Sequence, residues 1–231
     1  MTGRFLPYLK LMDTQKYKHT DNGKTLPYYR YLIYCNCPNC NSLLIVKGES
    51  NWYLQKARAT CLTCSFAKEW SANDWRGPVV GYARRPCSSC GHRWLTACVQ
   101  KEQYSPQMKQ TADLKCPRCS HVMVEKLEWH ADRVTKEGYD PYFGFKLYLQ
   151  SSCCDELLWV YNSEHLEDLY SYVRAAIRER NGTNKWSMIT RLPSWIKKAE
   201  NRKEILKCLD KFRSLIPATA KPNKALEPTA S

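Results

Sequence analysis

The sequence predicts a small α+β protein: two tandem four-cysteine ribbons, then a β-hairpin and a helical C-terminal region. Three observations carry this reading. Cysteines with two residues between them occur in four pairs: Cys37-Pro-Asn-Cys40, Cys61-Leu-Thr-Cys64, Cys87-Ser-Ser-Cys90 and Cys116-Pro-Arg-Cys119. Twenty residues separate the first two pairs and twenty-five the last two, at and somewhat beyond the upper end of ribbon spacing. After Cys119 no further Cys-x-x-Cys occurs, and from Gly144 one alternating strand and one apolar run give way to helical periodicity.

Taken in order, residues 1–34 form a basic N-terminal segment with six bases against two acids. Residues 35–83 hold the first ribbon. Leu43-Leu44-Ile45-Val46 leaves the first pair, Gly48-Glu49-Ser50-Asn51 supplies a turn, and Trp52–Thr60 partly alternates back into the second pair. Residues 84–139 hold the second ribbon, whose polar tip runs from Lys101 to Asp113.

Residues 140–217 form the α+β part. Phe145, Leu147 and Leu149 alternate with Lys146, Tyr148 and Gln150 as a half-buried strand; Ser151–Glu156 turns; Leu157–Tyr161 is a buried strand. Asn162 or Ser163 caps a helix with Leu166, Leu169, Tyr170, Val173, Ala176 and Ile177 on one face. Glu164, Glu167 and Asp168 near its start and Arg174, Arg178 and Arg180 near its end suit the helix dipole, and Asn181-Gly182 ends it. Pro193 is placed as a first-turn proline, and Asn201-x-x-Glu204 reads as a capping box for a helix burying Ile205, Leu209 and Phe212. Residues 218–231 read as a disordered tail.

Paired cysteines at this spacing suit a structural zinc ion. Each pair makes a tight knuckle that aims both sulfurs at one metal, and a second knuckle completes a tetrahedron. The expected ligands are Cys37, Cys40, Cys61 and Cys64 for one ion, and Cys87, Cys90, Cys116 and Cys119 for the other. A cross-brace pairing and iron are the competing arrangements. The residue after each pair often needs a left-handed backbone, which Asn41 and Gly91 favour and Ser65 and Ser120 tolerate. Of the remaining thiols, Cys35 reads as a strand residue able to compete for the first metal. Cys98 and Cys208 read as core thiols, and Cys153-Cys154 as a pair in a turn, free or joined to a histidine in a third site.

The chain has 231 residues, 36 bases and 22 acids, and a formal charge of +14. Two zinc-tetrathiolate centres would lower that to about +10. No run of about 18 apolar residues could cross a membrane, and the N-terminus has no signal-peptide pattern, so a cytoplasmic location is expected. That location favours metal binding over disulfides for thirteen cysteines. No His-Glu-x-x-His, phosphate-binding glycine loop or deaminase-type His-x-Glu arrangement occurs, and all-cysteine ligation leaves no open metal position. No catalytic residues and no enzymatic activity are expected.

The knuckles resemble those of bacterial TFIIB-type zinc-ribbon proteins. The likeness extends to Trp70-Ser-Ala-Asn-Asp-Trp75-Arg-Gly-Pro78, Asp140-Pro-Tyr-Phe-Gly144, Trp159-Val-Tyr-Asn162 and Arg191-Leu-Pro-Ser-Trp195, over about residues 30–213. The resemblance implies the metal and the architecture rather than a reaction. The tail, Pro222-Asn-Lys-Ala-Leu226-Glu-Pro-Thr-Ala, resembles a read-through of the recombination site that ends an integron gene cassette. That likeness implies a mobile gene and gives weight to an accessory or phage-defence role.

Two functional readings follow. The first is nucleic-acid binding, of unspecified type, through bases interleaved with aromatics: Trp52, Tyr53, Lys56 and Arg58 on the first hairpin, and Arg84, Arg85 and Arg93 around the second. The C-terminal segment 181–231 adds eleven bases against four acids. A helix unbroken through Asn201 would align Lys198 with Arg202 and Lys203 with Lys207, beside Lys197. The second reading is a protein-interaction adaptor. Neither involves a membrane.

Overall fold

The computed structural model describes residues 17–48, 56–71, 75–133, 137–179 and 184–217. The described residues begin with strand β1 (Lys18–Thr20) and a 3-10 turn, Leu26–Tyr31, whose start is fixed by Pro27. A four-stranded antiparallel meander follows: β2 (Leu32–Asn36), β3 (Leu43–Gly48), β4 (Ala57–Cys61) and β5 (Ala67–Glu69). Strand β4 shows the period-2 rule plainly, with Ala57, Ala59 and Cys61 buried and Arg58 and Thr60 exposed.

The next unit contains β6 (Val79–Arg85), β7 (Leu95–Lys101), β8 (Thr111–Lys115), β9 (Val122–Lys126) and β10 (Glu128–Ala131). Strand β6 lies between β10 and β7 in one antiparallel sheet, and β8 and β9 form a separate hairpin. The last part holds the hairpin β11 (Gln150–Cys153) and β12 (Glu156–Trp159), helix α1 (Ser163–Arg174), strand β13 (Ile177–Glu179), the one-turn helix α2 (Ser194–Lys197) and helix α3 (Arg202–Leu215). This is a mixed α+β chain. Among the described residues no helix is long and apolar enough to cross a membrane.

The hydrophobic core is divided. A large cluster joins the β2–β5 sheet to the C-terminal elements, with Tyr29, Tyr34, Tyr142, Phe143 and Phe212 fully buried. Each such side chain contributes roughly 1.5–3 kcal/mol by leaving water. A smaller cluster of Ala83, Leu95, Ala112, Leu114, Met123 and Leu127 fills the β6–β10 unit. The segment before β11 extends the first sheet: Asn36 N donates to Lys146 O at 2.9 Å, Tyr148 N to Tyr34 O at 2.9 Å, and Cys35 bridges Leu147. Leu147 and Leu149 are buried as their alternation predicts, but they pack beside β2 before the hairpin begins.

Asn162 is the N-cap of α1. Its Oδ1 accepts from His165 N at 2.9 Å, while its Nδ2 donates to Tyr29 O at 2.9 Å and Leu32 O at 2.8 Å. The cap thus also pins the N-terminal segment. Acidic residues of α1 are engaged by that segment: Tyr29 and Asn22 donate to Asp168, Tyr31 to Glu164, and Lys24 pairs with Glu164.

Several sequence expectations are corrected. Helix α1 stops at Arg174 rather than near Asn181; Ile177 leaves the expected helical face, is exposed, and joins β13, which pairs in parallel with β1. A long-range strand pairing thus overrides the local helical periodicity. The turn expected over Ser151–Glu156 shrinks to Cys154-Asp155, both at positive φ (53° and 62°), which matches the twist of a two-residue hairpin. Pro193 is the N-cap of α2 rather than inside its first turn. Asn201 makes no cap bond to α3; its Nδ2 donates to Trp195 O at 2.9 Å and closes α2 instead. The chain therefore breaks between α2 and α3, and Lys198 and Arg202 share no helical face. The turn residues 49–51, Trp52 and Tyr53, Asn181-Gly182 and the tail 218–231 lie outside the described residues.

Candidate metal centres and an exposed aromatic face

The eight paired cysteines converge as two groups of four, within each of which the sulfurs all lie within 4.8 Å of one another: Cys37, Cys40, Cys61 and Cys64, and Cys87, Cys90, Cys116 and Cys119. Neighbouring pairs in sequence share a group, so the cross-brace arrangement is not formed. In the first group Cys37 Sγ lies 3.6 Å from Cys64 Sγ and Cys40 Sγ 3.5 Å from Cys61 Sγ. In the second, Cys87 lies 3.6 Å from Cys119 and Cys90 3.7 Å from Cys116. A tetrahedron with metal–sulfur bonds of about 2.3 Å has edges of about 3.8 Å, so the donor sets fit one metal ion each.

Local backbone geometry builds each knuckle. Cys37 N donates to Ser42 O at 2.8 Å and Asn41 N to Cys37 O at 2.9 Å; Cys87 N donates to His92 O at 2.9 Å and Gly91 N to Cys87 O at 3.0 Å; Cys116 N donates to His121 O at 2.9 Å and Ser120 N to Cys116 O at 3.0 Å. Asn41, Gly91 and Ser120 have φ of 58°, 66° and 58°, the left-handed turn their positions require. Ser65 does not adopt it, although Cys61 N still donates to Phe66 O at 2.9 Å. The first cysteine of each pair is buried against its sheet and the second lies further out. His92 and His121 supply backbone carbonyls to the knuckles; their rings are not in the sulfur groups.

Amide donors favour thiolates. Cys61 Sγ accepts from Thr63 N at 3.3 Å and Cys64 N at 3.4 Å, and Cys116 Sγ from Arg118 N at 3.4 Å. The Ser42 backbone N–H and hydroxyl hold the Cys40 thiol down to about 6. The Phe66 N–H draws Cys64 down, yet burial and the neighbouring thiols push it up to about 12. Cys90 repeats this pattern, also reaching about 12 against the pull of the His92 N–H. Four adjacent sulfurs cannot all carry charge without a cation between them, which is what a divalent metal supplies.

The other thiols are elsewhere. Cys35 is fully buried on β2, and burial raises it well above the usual thiol range; it is not in the metal group. Cys98, expected in a core, is exposed. Strand parity explains this: Leu95, Ala97 and Val99 face the smaller core, and Thr96, Cys98 and Gln100 face outward. Cys208 is half-buried against the large core, and Cys153 and Cys154 lie with their sulfurs 3.9 Å apart at the β11–β12 turn. Among the described residues these thiols form no further metal group.

The outward face of the β10–β6–β7 sheet carries Tyr82 opposite Cys98 and Arg84 opposite Thr96. Tyr82 is 50% exposed and Trp94, just before β7, is 54% exposed. The Arg84 guanidinium lies over the Trp94 ring at 4.2 Å. Trp94 has φ of 52°, an uncommon and strained conformation for a bulky side chain. Of the other bases singled out from the sequence, Arg85 pairs with Glu125, Arg58 with Glu69 at 3.3 Å, and Arg93 and Lys56 are exposed.

The C-terminal bases form a weaker patch than the sequence suggests. Lys197 Nζ donates to Thr190 O at 3.0 Å, Lys198 pairs with Glu200 at 3.4 Å, and the break before α3 separates both from Arg202 and Lys203. No family model matches the chain, and comparison with curated proteins and with solved structures finds no match to it.

Proposed function

We propose that this is a non-enzymatic protein in which two zinc ribbons hold the chain in shape and the outer face of the second binds single-stranded nucleic acid. Zinc suits the two closed, all-cysteine donor sets, which leave no ligand position for water or substrate. The observation that carries the binding reading is the exposed Trp94 beneath Arg84, next to Tyr82 on the same sheet face. Aromatic rings stack on unpaired bases, the guanidinium meets phosphate, and strain at an exposed Trp94 is what a binding role would retain. The net charge, +14 for the chain and about +10 with both zinc-tetrathiolate centres formed, supports attraction of a polyanion.

The test is fluorescence anisotropy of labelled single-stranded DNA and RNA, with duplex DNA alongside, at about 50 mM salt, where phosphate contacts are strong. Trp94→Ala and Tyr82→Ala should each weaken single-strand binding by about 1–3 kcal/mol, with metal content unchanged. Absence of binding by the wild-type protein, or full binding by both variants, removes this reading.

A protein-interaction adaptor is the second reading. Val122 and Val124 favour it, standing 52% and 63% exposed on the outer side of the β8–β9 hairpin. The cassette-like tail supports an accessory role on a mobile element under either reading.

A further inference from the structure

A cavity of about 340 Å³ lies between the β11–β12 hairpin, α1, the 3-10 turn and the segment 186–196, in the large core and away from both metal centres. Its volume falls in the range of about 300–1,000 Å³ typical of small-molecule sites. Three indoles line it: Trp159, Trp186 and Trp195. Trp159 is held in place by its Nε1, which donates to Glu137 Oε2 at 3.3 Å. Trp186 is 57% exposed and lies under the Arg191 guanidinium, 4.5 Å from the ring centre. Such a Trp–Arg pair is half in solvent and half in the cavity, the position of a mouth rather than of a core contact.

The polar groups of the lining are mostly donors. Arg30 reaches the Tyr161 hydroxyl, yet its Nε is buried with no partner. His165 is 3% exposed, stacked on Tyr29 with ring centres 4.7 Å apart. Its Nδ1 accepts from Tyr161 N at 3.2 Å, so the proton of the neutral ring sits on Nε2 as a donor. Burial pushes His165 down to about 3 and keeps the ring neutral at physiological pH. Glu137 adds an acceptor suited to an exocyclic amino group. Flat apolar walls, two guanidinium groups and one fixed N–H donor call for a planar heteroaromatic ring that carries an anion.

We infer that this cavity binds a nucleotide, with the base between the indoles and the phosphate at Arg191 and Arg30. The nucleotide could be a free mononucleotide or the terminal unit of a strand. The free-nucleotide source goes beyond the strand-binding reading above, and the strand source rests on it.

The test is isothermal titration of the full-length zinc-loaded protein with the four ribonucleoside monophosphates, their phosphate-free nucleosides, and a single-stranded oligonucleotide. At least one monophosphate should bind saturably, and its nucleoside at least about tenfold more weakly. Trp186→Ala and Arg191→Ala, at exposed positions where folding is not at risk, should each weaken monophosphate binding at least about tenfold. Loss of oligonucleotide binding in Trp186→Ala, with monophosphates competing, assigns the strand end as the source. Monophosphate binding without oligonucleotide binding assigns the free nucleotide and removes the strand-binding reading instead. If no monophosphate binds at millimolar concentration, or if Trp186→Ala and Arg191→Ala bind as the wild type does, the inference is overturned, whatever the oligonucleotide does at Trp94.

Discussion

Gly144 and Gly77 meet backbone to backbone. A Cβ on Gly144 would stand 2.3 Å from Gly77 N and 2.5 Å from Gly77 Cα, and Gly144 has φ of 75°. This contact docks the segment between the two four-cysteine units onto the turn before β11; Arg76 N donates to Phe143 O at 2.8 Å and Trp70 Nε1 to Tyr142 O at 3.0 Å beside it. Gly144→Ala should therefore destabilise the protein by at least about 2 kcal/mol, because left-handed strain and a backbone clash add. Equilibrium denaturation in urea checks this, and an unchanged midpoint would refute it.

The turn itself depends on Asp140. This fully buried carboxylate accepts from Tyr142 N at 2.9 Å, Phe143 N at 2.8 Å and Phe145 N at 2.5 Å. Asp140→Ala leaves three buried N–H groups without an acceptor and should cost at least about 3 kcal/mol. Thermal melting of the metal-loaded variant should show a clear fall; a melt within a degree of the wild type would contradict the role.

Two zinc ions per chain are expected by elemental analysis. Cys61→Ser and Cys116→Ser should each remove one, with different consequences. Cys61 belongs to the large core and Cys116 to the smaller one. Loss of the first metal should therefore loosen the C-terminal elements as well, and loss of the second should stay within residues 79–131. Hydrogen exchange distinguishes the two patterns, and identical patterns would refute the division.

Acid should destabilise the fold through His165. Its folded value, about 3, lies below the ordinary 6.5 because burial disfavours the charged ring. Its contribution is thus fully present above pH 6.5 and is lost as pH falls toward 3, by about 2 kcal/mol at pH 5. His19, also lowered mainly by burial, acts in the same direction. Asp140, raised by burial to about 6, acts oppositely: its contribution is present below 3.8 and lost as pH rises to about 6. His165→Asn retains an acceptor near Tyr161 N and does not titrate. The difference in unfolding free energy between wild type and variant should change by about 2 kcal/mol from pH 7.5 to pH 5, with the metal-centre contribution common to both. A constant difference would exclude His165.

The cysteine knuckles were legible because their geometry is local: the spacing of Cys37 and Cys40, and Asn41 after them, nearly dictates the turn. The same holds for the Asn162 cap and for the buried row Ile205, Leu209 and Phe212. Other features were not legible. Cys98 looks apolar in sequence but falls on the outward parity of β7, a matter of register. Ile177 continues a helical stripe yet pairs with Lys18, over 150 residues earlier in the chain. Asn201 carries a capping signature, but the carbonyl of Trp195 takes its side chain.

The sequence by itself determined the four cysteine knuckles, the strands that flank the first of them and a helix start at Asn162 or Ser163, since each depends on residues within a turn or a strand of one another. Only the tertiary structure decided which knuckles pair into one four-sulfur group, how the C-terminal hairpin and helices share a core with the first four-cysteine unit, how Gly77 meets Gly144, and how Trp159, Trp186 and Trp195 come to line one cavity. Those relationships depend on side-chain volume and on hydrogen bonds between distant segments, which no local periodicity encodes.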